Sequence, residues 1–109
     1  MSREKGNLAE DRAVAFLSSL GFLIVERNFY SRFGELDIIA SKESVLHFVE
    51  VKSGVDYESA IENITPKKLS RLIKTAQIYM SKNAYDGELS FDAVVVTPNH
   101  IELLENITL

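Results

Sequence analysis

Asp37 and Glu50 stand thirteen residues apart, each inside an apolar run, and Lys52 follows the second acid by two. Leu36, Ile38, Ile39 and Ala40 surround the first; Val45, Leu46, Phe48, Val49 and Val51 surround the second. A charge in a segment that otherwise reads as buried is costly unless it is paired or binds a metal. Strand side chains alternate between faces, so Glu50 and Lys52 share one. The polar stretch Ser41-Lys42-Glu43-Ser44 can turn a hairpin between the runs. Antiparallel pairing then sets Asp37 beside Glu50 or Lys52, depending on register. Neighbouring carboxylates repel, and Mg²⁺ relieves the repulsion while needing only one or two of them beside waters and phosphate oxygens. A lysine at the rim of such a site stabilises negative charge on a phosphoryl group. The same three charges could instead form a structural ion-pair cluster at a sheet end.

The elements that must position these residues follow from periodicity. Ala9, Ala13, Phe16, Leu17 and Leu20 recur at helical steps, which predicts a helix from about residue 7 to 20, closed by Gly21 as a left-handed cap. Strands are predicted over Phe22–Tyr30, Gly34–Ala40 and Val45–Lys52, the last two apolar on both faces as in a sheet covered on both sides. A short helical turn fits Glu58–Asn63. Thr65 as N-cap and Pro66 in the first turn then open a helix to about Lys82, with Leu69, Leu72, Ile73, Ala76, Tyr79 and Met80 as its stripe. Leu89–Val96 reads as a buried strand and His100–Leu104 as a short edge strand. The order gives an α/β layer structure: an antiparallel three-strand meander, then a helical crossover that returns a strand parallel to a neighbour.

Composition removes several chemistries. The 109 residues suit one domain spanning 1–109, with 46% hydrophobic content enough for a single core. The absence of cysteine excludes disulfides, thiolate catalysis and Cys-based zinc sites. His47 and His100 are too few for a zinc site or a Ser-His-Asp triad, and both read as structural. Met1–Gly6 leads into no apolar signal core, and no run approaches the roughly 20 apolar residues of a membrane span. The expected location is the cytoplasm. A formal net charge of −4 argues against a generic basic nucleic-acid binder, although a local basic face matters more than the total.

One such face is legible. Between Pro66 and Lys82 there are five cations and no acid. Lys67, Arg71 and Lys74 recur at i, i+4 and i+7 and so share a stripe, with Lys68 beside it. Beside an acidic metal site the stripe suits a nucleic-acid backbone; alternatively it is a solvated face whose charges pair with Glu58, Glu62, Asp86 and Glu88.

An ordered set of short motifs carries a resemblance over nearly the whole chain. It comprises Gly6-x-x-Ala9-Glu10, Gly21-Phe22, Arg27-Asn28, Gly34-Glu35-x-Asp37, Phe48-Val49-Glu50-Val51-Lys52, Lys67/Lys68, Ala76, Tyr79 and Phe91-Asp92. The set resembles the YraN-like family of small bacterial proteins, a branch of the PD-(D/E)XK nuclease superfamily. The resemblance implies a restriction-endonuclease-like three-layer fold, with a central mixed sheet of about five strands in the order α-β-β-β-α-β-β, similar to archaeal Holliday-junction resolvases. It implies Asp37 and Glu50 as ligands of Mg²⁺ or Mn²⁺, Lys52 as the catalytic lysine and Glu10 as a further catalytic and metal-binding acid. On a helical wheel Glu10 aligns with Ala13, Val14 and Leu17 at the margin of the apolar face.

The implied activity is metal-dependent hydrolysis of DNA phosphodiesters, at branched structures in the resolvases, with a homodimer by analogy. Alternatives are an inactive nucleic-acid-binding module of the same fold and a protein-interaction scaffold. Glu35 is expected on the side of Asp37, as an extra ligand or a partner of Arg27 or Lys52. Two positions depart from the pattern: Gly54 and Ser90 stand where many relatives carry Arg, and both departures remove charge that could meet a phosphate.

Overall fold

Leu17 and Phe22 close the first helix upon themselves. Phe22 N donates to Leu17 O at 3.0 Å and Gly21 N to Ser18 O at 3.1 Å, with Gly21 at φ +93°. These are the two bonds of a Schellman cap, and the apolar pair that flanks them is buried in the core. The computed structural model describes residues 2–108, with side chains from Leu8 to Thr108. The side chains of residues 2–7, including the Gly6 and Asn7 region of the first motif, lie outside the described residues.

The elements are α1 (Ser2–Ser19), β1 (Leu23–Ser31), β2 (Gly34–Lys42), β3 (Val45–Ser53), α2 (Tyr57–Ile61), α3 (Pro66–Lys82), β4 (Glu88–Thr97) and β5 (His100–Leu104). The strands lie in the order β1-β2-β3-β4-β5, and only β3 and β4 run parallel, joined by the α2–α3 crossover. Thr65 caps α3 as its sequence predicts, its side chain accepting from Lys68 N. Asp56 caps α2 in the same way, accepting from Ser59 N at 2.8 Å, so that turn begins earlier than apolar spacing suggests.

Helices cover both faces of the sheet. Ala9, Ala13 and Leu17 of α1 pack on Ile38, Ala40, Val49, Val94 and Val96. Leu72, Ala76 and Tyr79 of α3 pack on Leu36, Ile39, Phe48 and Phe91. The result is the expected three-layer α/β arrangement with a mixed five-stranded sheet. The β2–β3 hairpin is tighter than the polar stretch implies. Ser41 and Lys42 belong to the strand, and Glu43 and Ser44 alone turn the chain, at φ +52° and +68°. That is the twist of a type I′ turn, which residues other than Asn and Gly seldom announce.

One irregularity positions the site. Leu36 faces α3 while Ile38 faces α1, although a regular strand would put both on one side. The β2–β3 ladder ends at Ile38–Val49, immediately before Asp37. On the other flank, Asn28 adopts φ +57° between the paired residues Arg27–Ile38 and Phe29–Leu36. Asp37 therefore stands at a break in the sheet.

Candidate active site

Asp37 reaches into that break. Its Oδ2 accepts the Val51 backbone N–H at 2.8 Å, and the residue is only 8% exposed. The register that pairs Ile38 with Val49 brings Glu50 opposite, within hydrogen-bonding reach of the Asp37 carboxyl. Burial, and then the facing Glu50 carboxyl, push Asp37 up to about 8; the Val51 N–H and the nearby Lys52 charge pull the other way. Lys52 shares the Glu50 face and lies 3.9 Å from Glu50 Oε1. Of the two registers open to the sequence, the strands adopt the one that confronts the acids.

Glu10 enters from α1 and is also 8% exposed. Its pKa is raised by burial first and then by the Asp37 charge, while the hydrogen bond from Arg27 lowers it. Arg27 Nη2 lies 3.4 Å from Glu10 Oε1 and 2.8 Å from Asp11 Oδ1. With the Asn28 carboxamide turned so that its nitrogen faces the acids, that nitrogen donates to Glu35 Oε2 at 2.9 Å and to the Glu10 oxygens at 3.1 and 3.2 Å. Glu35 thus has Asn28 as its partner, rather than the Arg27 or Lys52 expected. Among the described residues no group of three or more His, Asp or Glu side chains is arranged to hold a metal ion. The three acids are divided: Asp37 and Glu50 face each other, and Glu10 turns to Arg27 and Asn28.

The pair opens onto a cleft of about 220 Å³ lined by Phe33, Gly34, Glu35, Asp37, Glu50, Lys68, Arg71 and Leu72. Two cations of the basic helix thus share the cleft with the acids. Lys67, Lys68, Arg71 and Lys74 are all exposed, and none joins an ion pair among the described residues, so the acids elsewhere do not neutralise this face. Lys74 stands over the Phe33 ring, 5.3 Å from its centroid, and Lys67 shares the stripe without lining the cleft. A larger, mainly apolar cleft of about 540 Å³ lies elsewhere, between Leu8, Val55 and Val96; its one charged side chain, Arg12, is bonded to Thr97 O. The convergent polar groups are in the smaller one.

Asp92 and His47 belong to the other face. Asp92 is fully buried; its Oδ2 meets His47 Nδ1 at 2.5 Å, and its Oδ1 accepts from Ser90 Oγ at 2.7 Å and Asn106 N at 3.0 Å. Ser90 serves this network rather than a phosphate. Gly54 is excluded from carrying a side chain by packing, since a Cβ there would stand 2.9 Å from Ala60 N. Tyr79 is core, edge-on to Phe29 and Phe48, and exposed Gln77 lies away from the acids. Asn28 and Phe33 are the site residues that spacing missed. An asparagine inside a predicted strand is the signal that could have drawn attention to the first.

The molecule so defined is an α/β/α protein with a carboxylate pair at a break in its sheet, beside a basic helix. The chain belongs to the uncharacterised protein family UPF0102, whose profile matches residues 9–96, and this is the family of the YraN-like resemblance. A UPF0102 protein of Sulfurimonas denitrificans is 62% identical over 109 residues, covering all of both chains. One of Aliarcobacter butzleri is 49% identical over 110 residues, again covering both. One of Helicobacter pylori strain P12 is 54% identical over 106 residues, 97% of this chain and 92% of the relative. Among the described residues no helix is long and apolar enough to cross a membrane.

Proposed function

We propose that this protein is a metal-dependent endonuclease of the PD-(D/E)XK type that hydrolyses DNA phosphodiesters. The observation that carries the reading is the enforced confrontation of buried Asp37 with half-buried Glu50, two carboxylates facing each other with Lys52 at their edge. That donor set fits Mg²⁺ or Mn²⁺, which take hard oxygens and are commonly held by one or two carboxylates. Asp37 and Glu50 are the ligands, and Glu10 completes the set from the α1 side by exchanging its Arg27 contact. The bound ion would supply Lewis-acid polarisation of the phosphate and a more acidic water. Lys52 stabilises the charge that develops on the phosphoryl oxygens, and Lys68 and Arg71 hold the flanking backbone.

A second reading is an inactive nucleic-acid-binding module. It is favoured by one observation: Glu10 already has Arg27 and Asn28 as partners. Titration of Mn²⁺ by calorimetry into wild type and Asp37→Ala, with cleavage of a panel of branched and linear DNA, separates the two. The nuclease reading expects binding and cleavage in wild type, both lost in Asp37→Ala, and cleavage alone lost in Lys52→Ala. Nucleic-acid binding without cleavage in Mg²⁺ or Mn²⁺ leaves the module. Binding to nucleic acid that ignores salt and survives neutralising Lys68 and Arg71 removes both.

A further inference from the structure

Phe33 belongs to neither core cluster, although apolar rings of its size elsewhere in the chain pack inward. It occupies the two-residue turn between β1 and β2, closed by the Ser31–Gly34 pair. The turn is pinned in place: Ser31 Oγ lies 2.8 Å from Thr75 Oγ1 on α3 and accepts Phe33 N–H at 3.0 Å. The ring is flanked by two exposed cations, with Arg32 Cζ 4.9 Å and Lys74 Nζ 5.3 Å from its centroid. It also lines the cleft of Asp37 and Glu50 together with Lys68 and Arg71. Neither Arg32 nor Lys74 joins an ion pair among the described residues.

We propose that Phe33 is a stacking platform for an unpaired base, so that the site takes nucleic acid that is single-stranded next to the contacted phosphate. The inference rests on the nucleic-acid reading above and specifies its substrate class. Every base has a π-face, and an aromatic side chain in a positively charged groove binds it with little regard to sequence. In a continuous duplex those faces are covered by neighbouring bases, and a ring at a rigid hairpin tip has nothing to stack on. Where the strand is unpaired, a base lies on Phe33 while its phosphates meet Arg32, Lys68, Arg71 and Lys74. The adjoining phosphate then faces the acidic pair. Arg32 and Phe33 thereby extend the basic face of α3 onto the β1–β2 turn.

The test compares a single-stranded oligonucleotide carrying 2-aminopurine with the intact duplex of the same sequence, by anisotropy and by quenching of the base analogue. Wild type should quench the single strand. Phe33→Leu, which keeps apolar bulk but not the π-face, should bind the single strand about tenfold more weakly and the duplex unchanged, a loss within the range for one stacked base. Phe33→Trp should restore both binding and quenching. Unquenched binding by wild type overturns the platform, independently of how any variant folds. Equal losses on single strand and duplex in Phe33→Leu overturn it too, because they mark a structural ring. Binding that is indifferent to Phe33 sinks the platform and leaves the nucleic-acid reading standing. Wild type that binds neither form sinks both.

Discussion

Asp37 Oδ2 accepts the backbone N–H of Val51 at 2.8 Å, crossing from β2 to β3 where their ladder has ended. A side chain replaces a main-chain carbonyl as the partner of a strand N–H, so the Val51 donor is not left unpaired. The carboxylate is thereby held by the backbone itself, and the register puts Glu50 against it whatever the two charges prefer. Repulsion at this point is a property of the fold, and a cation or a proton must answer it.

In chelator the answer is a proton, and stability should depend on pH accordingly. Burial and then the facing Glu50 carboxyl push Asp37 up to about 8 in the folded chain, from an ordinary value of 3.8. Between those values the native state binds more protons than the unfolded one, so stability falls as pH rises through that window. Asp37→Asn should remove this fall and be more stable than wild type at pH 9, with the two converging near pH 4. Urea denaturation at stepped pH reads it. Parallel curves for the two proteins would mean that Asp37 is already relieved by another group.

Mn²⁺ should replace that proton. An ion that binds only the folded state at a hundredfold excess over its Kd stabilises by about 2.7 kcal/mol. The rise in Tm at pH 8 should therefore amount to several degrees in wild type and vanish in Asp37→Asn. Glu10→Gln should lose part of the rise but less than Asp37→Asn, since Glu10 must first give up Arg27 and Asn28 to join the ion. An equal loss in Glu10→Gln would make it a ligand of the same standing as Asp37.

Much of this arrangement was legible in the sequence because it rests on short-range rules. Thr65-Pro66 opened α3, Gly21 closed α1, and His100–Leu104 has the bounds expected of it. Period two placed Glu50 with Lys52 and against His47. What stayed hidden depends on backbone geometry that residue type does not encode. Nothing in Leu36-Asp37-Ile38 signals that the strand changes faces there, nor that Asn28 turns left-handed beside it. The helical wheel puts Glu10 at the margin of the apolar face, but its partner Arg27 comes from β1, beyond the reach of a helical wheel.

The Asp92 network should govern stability without touching the site. Asp92→Ala strips a buried carboxylate from His47, Ser90 and Asn106, which leaves buried donors without partners. Breaking buried networks of this kind costs about 3–5 kcal/mol. The loss should appear in urea denaturation, whereas Mn²⁺ affinity, measured below the melting range, should stay within twofold of wild type. A cost under 1 kcal/mol would mean that water or a rearranged Asn106 takes over the bonds.

The basic helix offers a graded salt test. Each phosphate neutralised by a protein cation contributes about 0.7 to the slope of log K against log salt concentration for a single strand. Arg71 and Lys68 line the acidic cleft, whereas Lys67 shares the helix stripe from outside it. Arg71→Ala and Lys68→Ala should each reduce the slope by roughly 0.7, and Lys67→Ala by clearly less. Lys82, at the far end of α3 and stacked over Phe29 at 5.8 Å, should leave it unchanged. Equal reductions from Lys67, Lys68, Arg71 and Lys82 would mean that the strand follows the length of α3 rather than entering the cleft. The acidic pair would then lie beside the bound backbone instead of beneath it, and the nuclease reading would lose the geometry it requires.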